Sequence, residues 1–214
     1  MRLIGAGTRD DIDYVVTNRF WTVPNLITLV RFCLVPVFVA LVVGGSYLTA
    51  FIVLAVLSST DWVDGYVARR FNQISTVGQW LDPLADRISL IVVAVTLVAT
   101  GIAPWWLVPA ILVPDLVLAV TALIMFGGSP ELEVTALGKV RTALLLVGTP
   151  LLLLAQVPGL AAGPITLIAT ILLALGCLGH LAASVDYLAG CARKRRDLVR
   201  RGLDPRDRAG WSRP

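Results

Sequence analysis

The chain has 214 residues, of which 57% are hydrophobic and 15% are charged. Soluble domains carry about 25% charged residues, so this composition excludes a disordered chain and an ordinary soluble enzyme and indicates a membrane protein. The formal net charge is +4. In so apolar a chain, we ascribe the excess of arginine to membrane topology and anionic lipid rather than to nucleic acid.

Six apolar stretches are long enough to cross a bilayer, which takes about 20 residues in a helix. Glycine, proline and polar residues separate them, and none alternates as a membrane strand would. The sequence therefore predicts an all-α integral membrane protein with six transmembrane helices. The predicted spans are residues 24–45, 48–70, 79–101, 104–127, 137–156 and 163–190.

Charge is distributed unevenly between the connections. Those near residues 44–47, 101–104 and 157–163 contain no charged residue, whereas residues 192–214 carry nine basic and three acidic residues. By the positive-inside rule, the basic side faces the cytoplasm. Because the number of spans is even, both termini share that side, and the predicted location is the cell membrane with multiple passes.

These features divide the chain into three parts. Residues 1–20 form a cytoplasmic segment that is compatible with an interfacial helix. Residues 21–191 form the six-span domain. Residues 192–214 form a basic cytoplasmic tail, which we expect to lie on anionic membrane lipid.

Two adjoining spans carry acidic residues, which are costly inside a bilayer and mark candidate functional sites. Asp61 and Asp64 are three residues apart, and Asp82 and Asp86 are four apart, so each pair shares one helical face. A short connection makes the two helices antiparallel neighbours. The four carboxylates are therefore expected at a similar depth, near the cytoplasmic surface.

Four facing carboxylates repel one another unless cations or protons neutralise them. Their oxygen atoms suit Mg²⁺, Mn²⁺ or Ca²⁺, and a pair of such cations commonly clamps a phosphoryl group. The sequence thus predicts a two-cation site. Gly65, Ala68 and Gly78 would let a ligand approach the backbone, and Arg69 could meet a phosphate.

A cation transporter is the alternative from another functional class, since acids within a membrane also line ion paths. Such a path would need acidic residues spread through the bilayer, whereas four acids cluster near one face and only Asp115 lies deep. His180, the single histidine, is expected to be packed and hydrogen-bonded in the sixth span.

The segment from Asp61 to Asp86 resembles the signature of the CDP-alcohol phosphotransferase family. Residues 22–31 and 138–142 are similar to the first and fifth spans of its bacterial phosphatidylglycerophosphate synthase branch. All eight fixed positions of the signature match at the expected spacing, namely Asp61, Asp64, Gly65, Ala68, Arg69, Gly78, Asp82 and Asp86.

The resemblance implies transfer of a phosphatidyl group from CDP-diacylglycerol to an alcohol acceptor, with release of CMP. It implies two divalent cations, Mg²⁺ or Mn²⁺, held by the four aspartates, and a homodimer. Asp86 would be the base for the acceptor hydroxyl, with Asp82 also catalytic. The CDP moiety would contact Asp61, Asp64, Gly65, Ala68, Arg69 and Gly78.

Glycerol 3-phosphate, which would give phosphatidylglycerophosphate, is the first candidate acceptor. Lys139 and Arg141 are expected to bind the acceptor's phosphate, and Arg31, about 10 Å into the first span by helical rise, to support the acidic cluster beside it. Arg31 and Asp115 are further candidates for residues that bind the acceptor. Because this chain has Pro114 where relatives often carry Arg, phosphatidylglycerol, giving cardiolipin, stays open, and inositol phosphate is a less favoured third acceptor.

Overall fold

The computed structural model describes residues 22–70, 78–130, 132, 136–160, 162–207 and 211. Within these ranges it contains six α-helices and no strand, which confirms the predicted all-helical fold. The helices are α1 (Val23–Val43), α2 (Tyr47–Arg70), α3 (Gly78–Ala99), α4 (Leu107–Phe126), α5 (Ala136–Leu154) and α6 (Ala162–Arg200). The predicted interfacial helix in residues 1–20 lies outside the described residues.

Four of the helices are long and apolar enough to cross a membrane, and α2 offers a shorter apolar segment, Tyr47–Ser59. The qualifying segments are Asn25–Val43, Leu107–Phe126, Leu137–Leu154 and Ala162–Arg200. Many of their large apolar side chains are exposed, as side chains that contact lipid would be. The protein is therefore a multi-pass membrane protein.

Helices α1 to α3 belong to one compact unit, formed by residues 1–103 and 150–165. In this unit α1 packs against both α2 and α3. The buried positions of α1 recur every three or four residues, the spacing of a single helical face. This buried stripe is polar at Asn25, Thr28 and Arg31 and apolar at Val35, Phe38 and Val42.

Residues 104–149 and 166–214 form the second unit. Here glycines bring α5 and α6 close together. A Cβ atom at Gly148 would lie 2.9 Å from Leu173 Cγ, and one at Gly176 would lie 2.9 Å from Leu145 Cδ2. Small residues at such contacts let membrane helices approach closely. This close packing contributes to helix association because the hydrophobic effect does not drive helices together in lipid.

Gly176→Val is expected to destabilise the protein by about 1–3 kcal/mol, since the added methyl groups would overpack the contact with Leu145. The unfolding midpoint in detergent should fall by several degrees. Gly163→Val is the matched control on the same helix, because a Cβ at Gly163 meets nothing within 4 Å. Equal midpoints for the two variants would contradict this account of the contact.

Helix α6 is longer than the predicted span, which ended at residue 190. It continues without a break to Arg200, and the chain turns only at Gly202, whose φ is +72°. Residues 191–200 contain good helix formers, mainly Arg, Lys, Ala and Leu. The first charged residues after the span show where the apolar segment ends but not where the helix ends. The predicted boundary between the six-span domain and the basic tail, at residue 191, therefore falls inside α6.

Candidate active site

The signature positions lie at the C-terminal end of α2 and the N-terminal part of α3, which follow one another in the chain. Five lie in the C-terminal part of α2, and three lie at the start of α3, with Gly78 as its first residue. Apart from Asp86, the side chains at these positions lie outside the described residues, so their roles stay predictions. They are Asp61, Asp64, Gly65, Ala68, Arg69, Gly78 and Asp82.

Asp86 on α3 forms an ion pair with Arg31 on α1. The Arg31 guanidinium donates a hydrogen bond to the Asp86 carboxylate. The Arg31 side chain is 2% exposed and that of Asp86 is 41% exposed. A buried guanidinium needs such a partner, and the carboxylate that satisfies it remains accessible to a substrate.

Two further polar side chains lie on the same face of α1 as Arg31. Asn25 is 4% exposed and Thr28 is fully buried. Thr22 caps the N-terminus of this helix, and its hydroxyl accepts a hydrogen bond from the backbone N–H of Asn25 at 3.4 Å. No role was predicted for Asn25 and Thr28, although Asn25, Thr28 and Arg31 follow one another at three-residue spacing, which places them on one helical face.

Asp115 and His180 meet in the second unit. His180 is 3% exposed, and its Nε2 lies 3.2 Å from the carbonyl oxygen of Ile111 and 3.5 Å from Asp115 Oδ1. The packed, hydrogen-bonded histidine that the sequence predicted is confirmed. Asp115 has a side chain only 15% exposed and lies beside an ionisable ring, as a carboxylate deep in a span requires.

Lys139 and Arg141 lie in the first two turns of α5, where Lys139 is exposed and Arg141 is partly buried. A Cβ atom at Gly179 would lie 3.2 Å from Arg141 Cβ. The backbone of Arg141 is therefore held close to the turn of α6 that carries His180. Both cations are in the same unit as Asp115.

Among the described residues there is no group of three or more His, Cys, Asp or Glu that could hold a metal. Asp86 is the one member of the predicted four-aspartate cluster whose side chain is described. Its carboxylate offers oxygen donors and is partly exposed, and both properties are compatible with a hard divalent cation.

Residues 21–181 match the family model of the CDP-alcohol phosphatidyltransferases, which confirms the resemblance found in the sequence. The chain is 38% identical over 141 residues to a provisionally named cardiolipin synthase of Mycobacterium tuberculosis, covering 65% of this chain and 68% of that protein. It is 37% identical over 152 residues to the cardiolipin synthase (CMP-forming) of Streptomyces coelicolor, covering 68% and 71%. It is 30% identical over 153 residues to the CDP-diacylglycerol--glycerol-3-phosphate 3-phosphatidyltransferase of Bacillus subtilis, covering 64% and 79%.

Proposed function

This chain belongs to the CDP-alcohol phosphatidyltransferase family, and we propose that it transfers the phosphatidyl group of CDP-diacylglycerol to glycerol 3-phosphate. The family's enzymes act in phospholipid biosynthesis on CDP-diacylglycerol and an alcohol acceptor. The observation that carries the proposal is the complete signature on α2 and α3, with the accessible carboxylate of Asp86 held by the buried Arg31.

In the proposed reaction, the acceptor's hydroxyl oxygen attacks the phosphorus atom that bears the diacylglycerol. A new P–O bond forms, the bond from that phosphorus to the oxygen of the CMP phosphate breaks, and CMP leaves. Asp86 takes the proton of the attacking hydroxyl as general base. Arg31 keeps the Asp86 carboxylate in one orientation through its hydrogen bond.

The family is generally dependent on divalent metal ions, and the signature supplies only carboxylate oxygens, the donors that Mg²⁺ and Mn²⁺ prefer. Asp61, Asp64, Asp82 and Asp86 would hold two such ions. When bound, they would supply electrostatic stabilisation for the charge that develops on the diphosphate. The remaining signature residues would contact CDP, namely Gly65, Ala68, Arg69 and Gly78.

The test is to give the purified protein CDP-diacylglycerol with glycerol 3-phosphate, phosphatidylglycerol or inositol phosphate. CMP release is measured, and the lipid product is identified by mass. We expect phosphatidylglycerophosphate from glycerol 3-phosphate, with Mg²⁺ or Mn²⁺ required and activity lost in excess chelator. The absence of CMP release with all three acceptors would overturn the proposal.

Phosphatidylglycerol is the second candidate acceptor. Two of the relatives described above are named cardiolipin synthases. In this chain the buried Pro114 precedes Asp115, at a position where relatives often carry arginine. A phosphodiester has less negative charge than a phosphomonoester and so needs fewer cations. Cardiolipin as the main product in the same assay would select this acceptor.

Lys139→Ala is expected to raise the KM for glycerol 3-phosphate by about tenfold or more, because hydrogen bonds to charged groups contribute about 1.5–3 kcal/mol. The KM for CDP-diacylglycerol should change little. Arg193→Ala is the matched control, since it removes a cation whose side chain is 70% exposed on α6. Equal effects on both substrates would argue against an acceptor-binding role for Lys139.

We also propose that both termini and the active site face the cytoplasm and that the protein is a homodimer. Exposed arginines on the last turns of α6 support this orientation through the positive-inside rule, and the same side chains would contact anionic lipid. They are Arg193, Arg195, Arg196 and Arg200. Labelling of cysteines introduced at these positions in intact and permeabilised cells tests the orientation, and cross-linking tests the dimer.

A further inference from the structure

The chain turns back on itself after α6. Gly202 ends the helix, and the backbone N–H of Arg206 donates to Asp204 Oδ1 at 2.9 Å. The Arg206 guanidinium donates to the carbonyl oxygen of Ile124 at 2.8 Å. Ile124 lies in the last turn of α4, where carbonyl groups lack helical donors and attract positive charge. We call residues 202–207 together with Trp211 the tail turn.

Trp211 is the second attachment of the tail turn. Its ring meets the ring of Phe126 edge to face, with centroids 5.8 Å apart and an interplanar angle of 83°. The Nζ atom of Lys194 lies 4.3 Å from the centroid of the Trp211 ring, a cation–π contact. Trp211 and Leu203 both pack on a core of Phe126, Cys191 and Leu198.

The same cluster holds the connection between α4 and α5. Lys194 Nζ donates to the carbonyl oxygen of Pro130 at 2.7 Å. Leu132 packs on the cluster and lies against α6, since a Cβ atom at Gly190 would be 3.1 Å from Leu132 Cδ1. Both described residues of the connection beyond Ser129 are therefore held by α6, and Lys194, which binds Pro130, is itself in contact with Trp211 of the tail turn.

We infer that the tail turn is a positioning element for the acceptor-binding segment of α5. It binds the end of α4 directly through Ile124 and Phe126, and it reaches the α4–α5 connection through Lys194, which binds Pro130. The packing of Gly179 against Arg141 holds that residue close to α6. The inference rests on the proposed acceptor role of Lys139 and Arg141. The tail turn contacts α4 and α6, so we expect its effect on the acceptor to pass through the backbone that it holds.

Trp211→Ala and Arg206→Ala test this in the full-length protein. Mutations that act through a packed network change coupling by about 0.5–2 kcal/mol, so the KM for the acceptor should rise about 2–30-fold. The KM for CDP-diacylglycerol and kcat at saturating acceptor should stay within a factor of two. Trp211→Phe keeps an aromatic ring against Phe126 and should restore most of the acceptor affinity.

Arg195→Ala is the matched control for Arg206→Ala, because it removes the same charge from an exposed position of α6. Lys139→Ala is measured in parallel. If Lys139→Ala raises the acceptor KM and the tail variants do not, or if the tail variants raise both KM values equally, the inference is wrong and the proposed function stands. If Lys139→Ala has no effect on the acceptor KM, the acceptor role itself fails.

Discussion

Asp86→Asn is expected to reduce CMP release at saturating substrates by about 10²–10⁴-fold, the contribution that general acid–base catalysis makes. The amide cannot take the proton of the acceptor hydroxyl. It keeps the size of the carboxylate, and its oxygen can still accept the hydrogen bond of Arg31, so the fold should be retained. Asp82→Asn is expected to give a comparable loss.

Asp197→Asn is the control for this prediction. It makes the same chemical change at a side chain that is 68% exposed near the end of α6, so activity should be unchanged. The unfolding midpoint in detergent shows whether each variant is folded. A folded Asp86→Asn protein that retains more than a tenth of the wild-type rate would exclude Asp86 as the base.

Arg31→Met is expected to lower kcat by about 10–100-fold, because small displacements of a reacting group are costly. Methionine fills most of the buried volume but cannot hold the Asp86 carboxylate. Loss of a hydrogen bond to a charged group should also cost about 1.5–3 kcal/mol of stability. Arg31→Lys keeps the charge without the planar guanidinium and should lie between wild type and Arg31→Met.

The double variant Arg31→Met/Asp86→Asn separates positioning from general destabilisation. If Arg31 acts through Asp86, the double variant should be about as slow as Asp86→Asn alone, because residues that act as a unit are not additive. If the loss of kcat in the double variant equals the product of the two single losses, Arg31 contributes to catalysis independently of Asp86.

The helices could be predicted from the sequence because each apolar run is bounded by glycine, proline or polar residues. The end of α6 could not be predicted in this way, since Arg and Lys are as compatible with a helix as the apolar residues before them. Helical rise placed Arg31 near the depth of the acids. Its pairing with Asp86 depends on α1 packing against α3, which pattern alone does not specify.

Most contacts between residues far apart in the chain could not be predicted from the sequence. Asp115 and His180 were each placed in a span, but nothing in the sequence joined them across 65 positions. The prediction that the basic tail lies on anionic lipid stays a prediction. Two of its cations, Lys194 and Arg206, bind backbone carbonyls at the end of α4 and beyond it, and these contacts could be found only from the folded chain.

The buried stripe of α1 changes from polar to apolar along the helix, and this change bears on where the reacting lipid lies. From Thr28 to Val35 the helix rises about 10 Å, and over that distance its inner face passes from hydroxyl and guanidinium groups to hydrocarbon. The buried face can therefore satisfy polar and charged groups on the N-terminal side of Val35 and offers them no partner on its C-terminal side. We therefore expect the headgroup of the reacting lipid to lie level with Thr28 and Arg31 and its acyl chains to lie beyond Val35, so that α1 would set the depth in the bilayer at which the headgroup is exchanged.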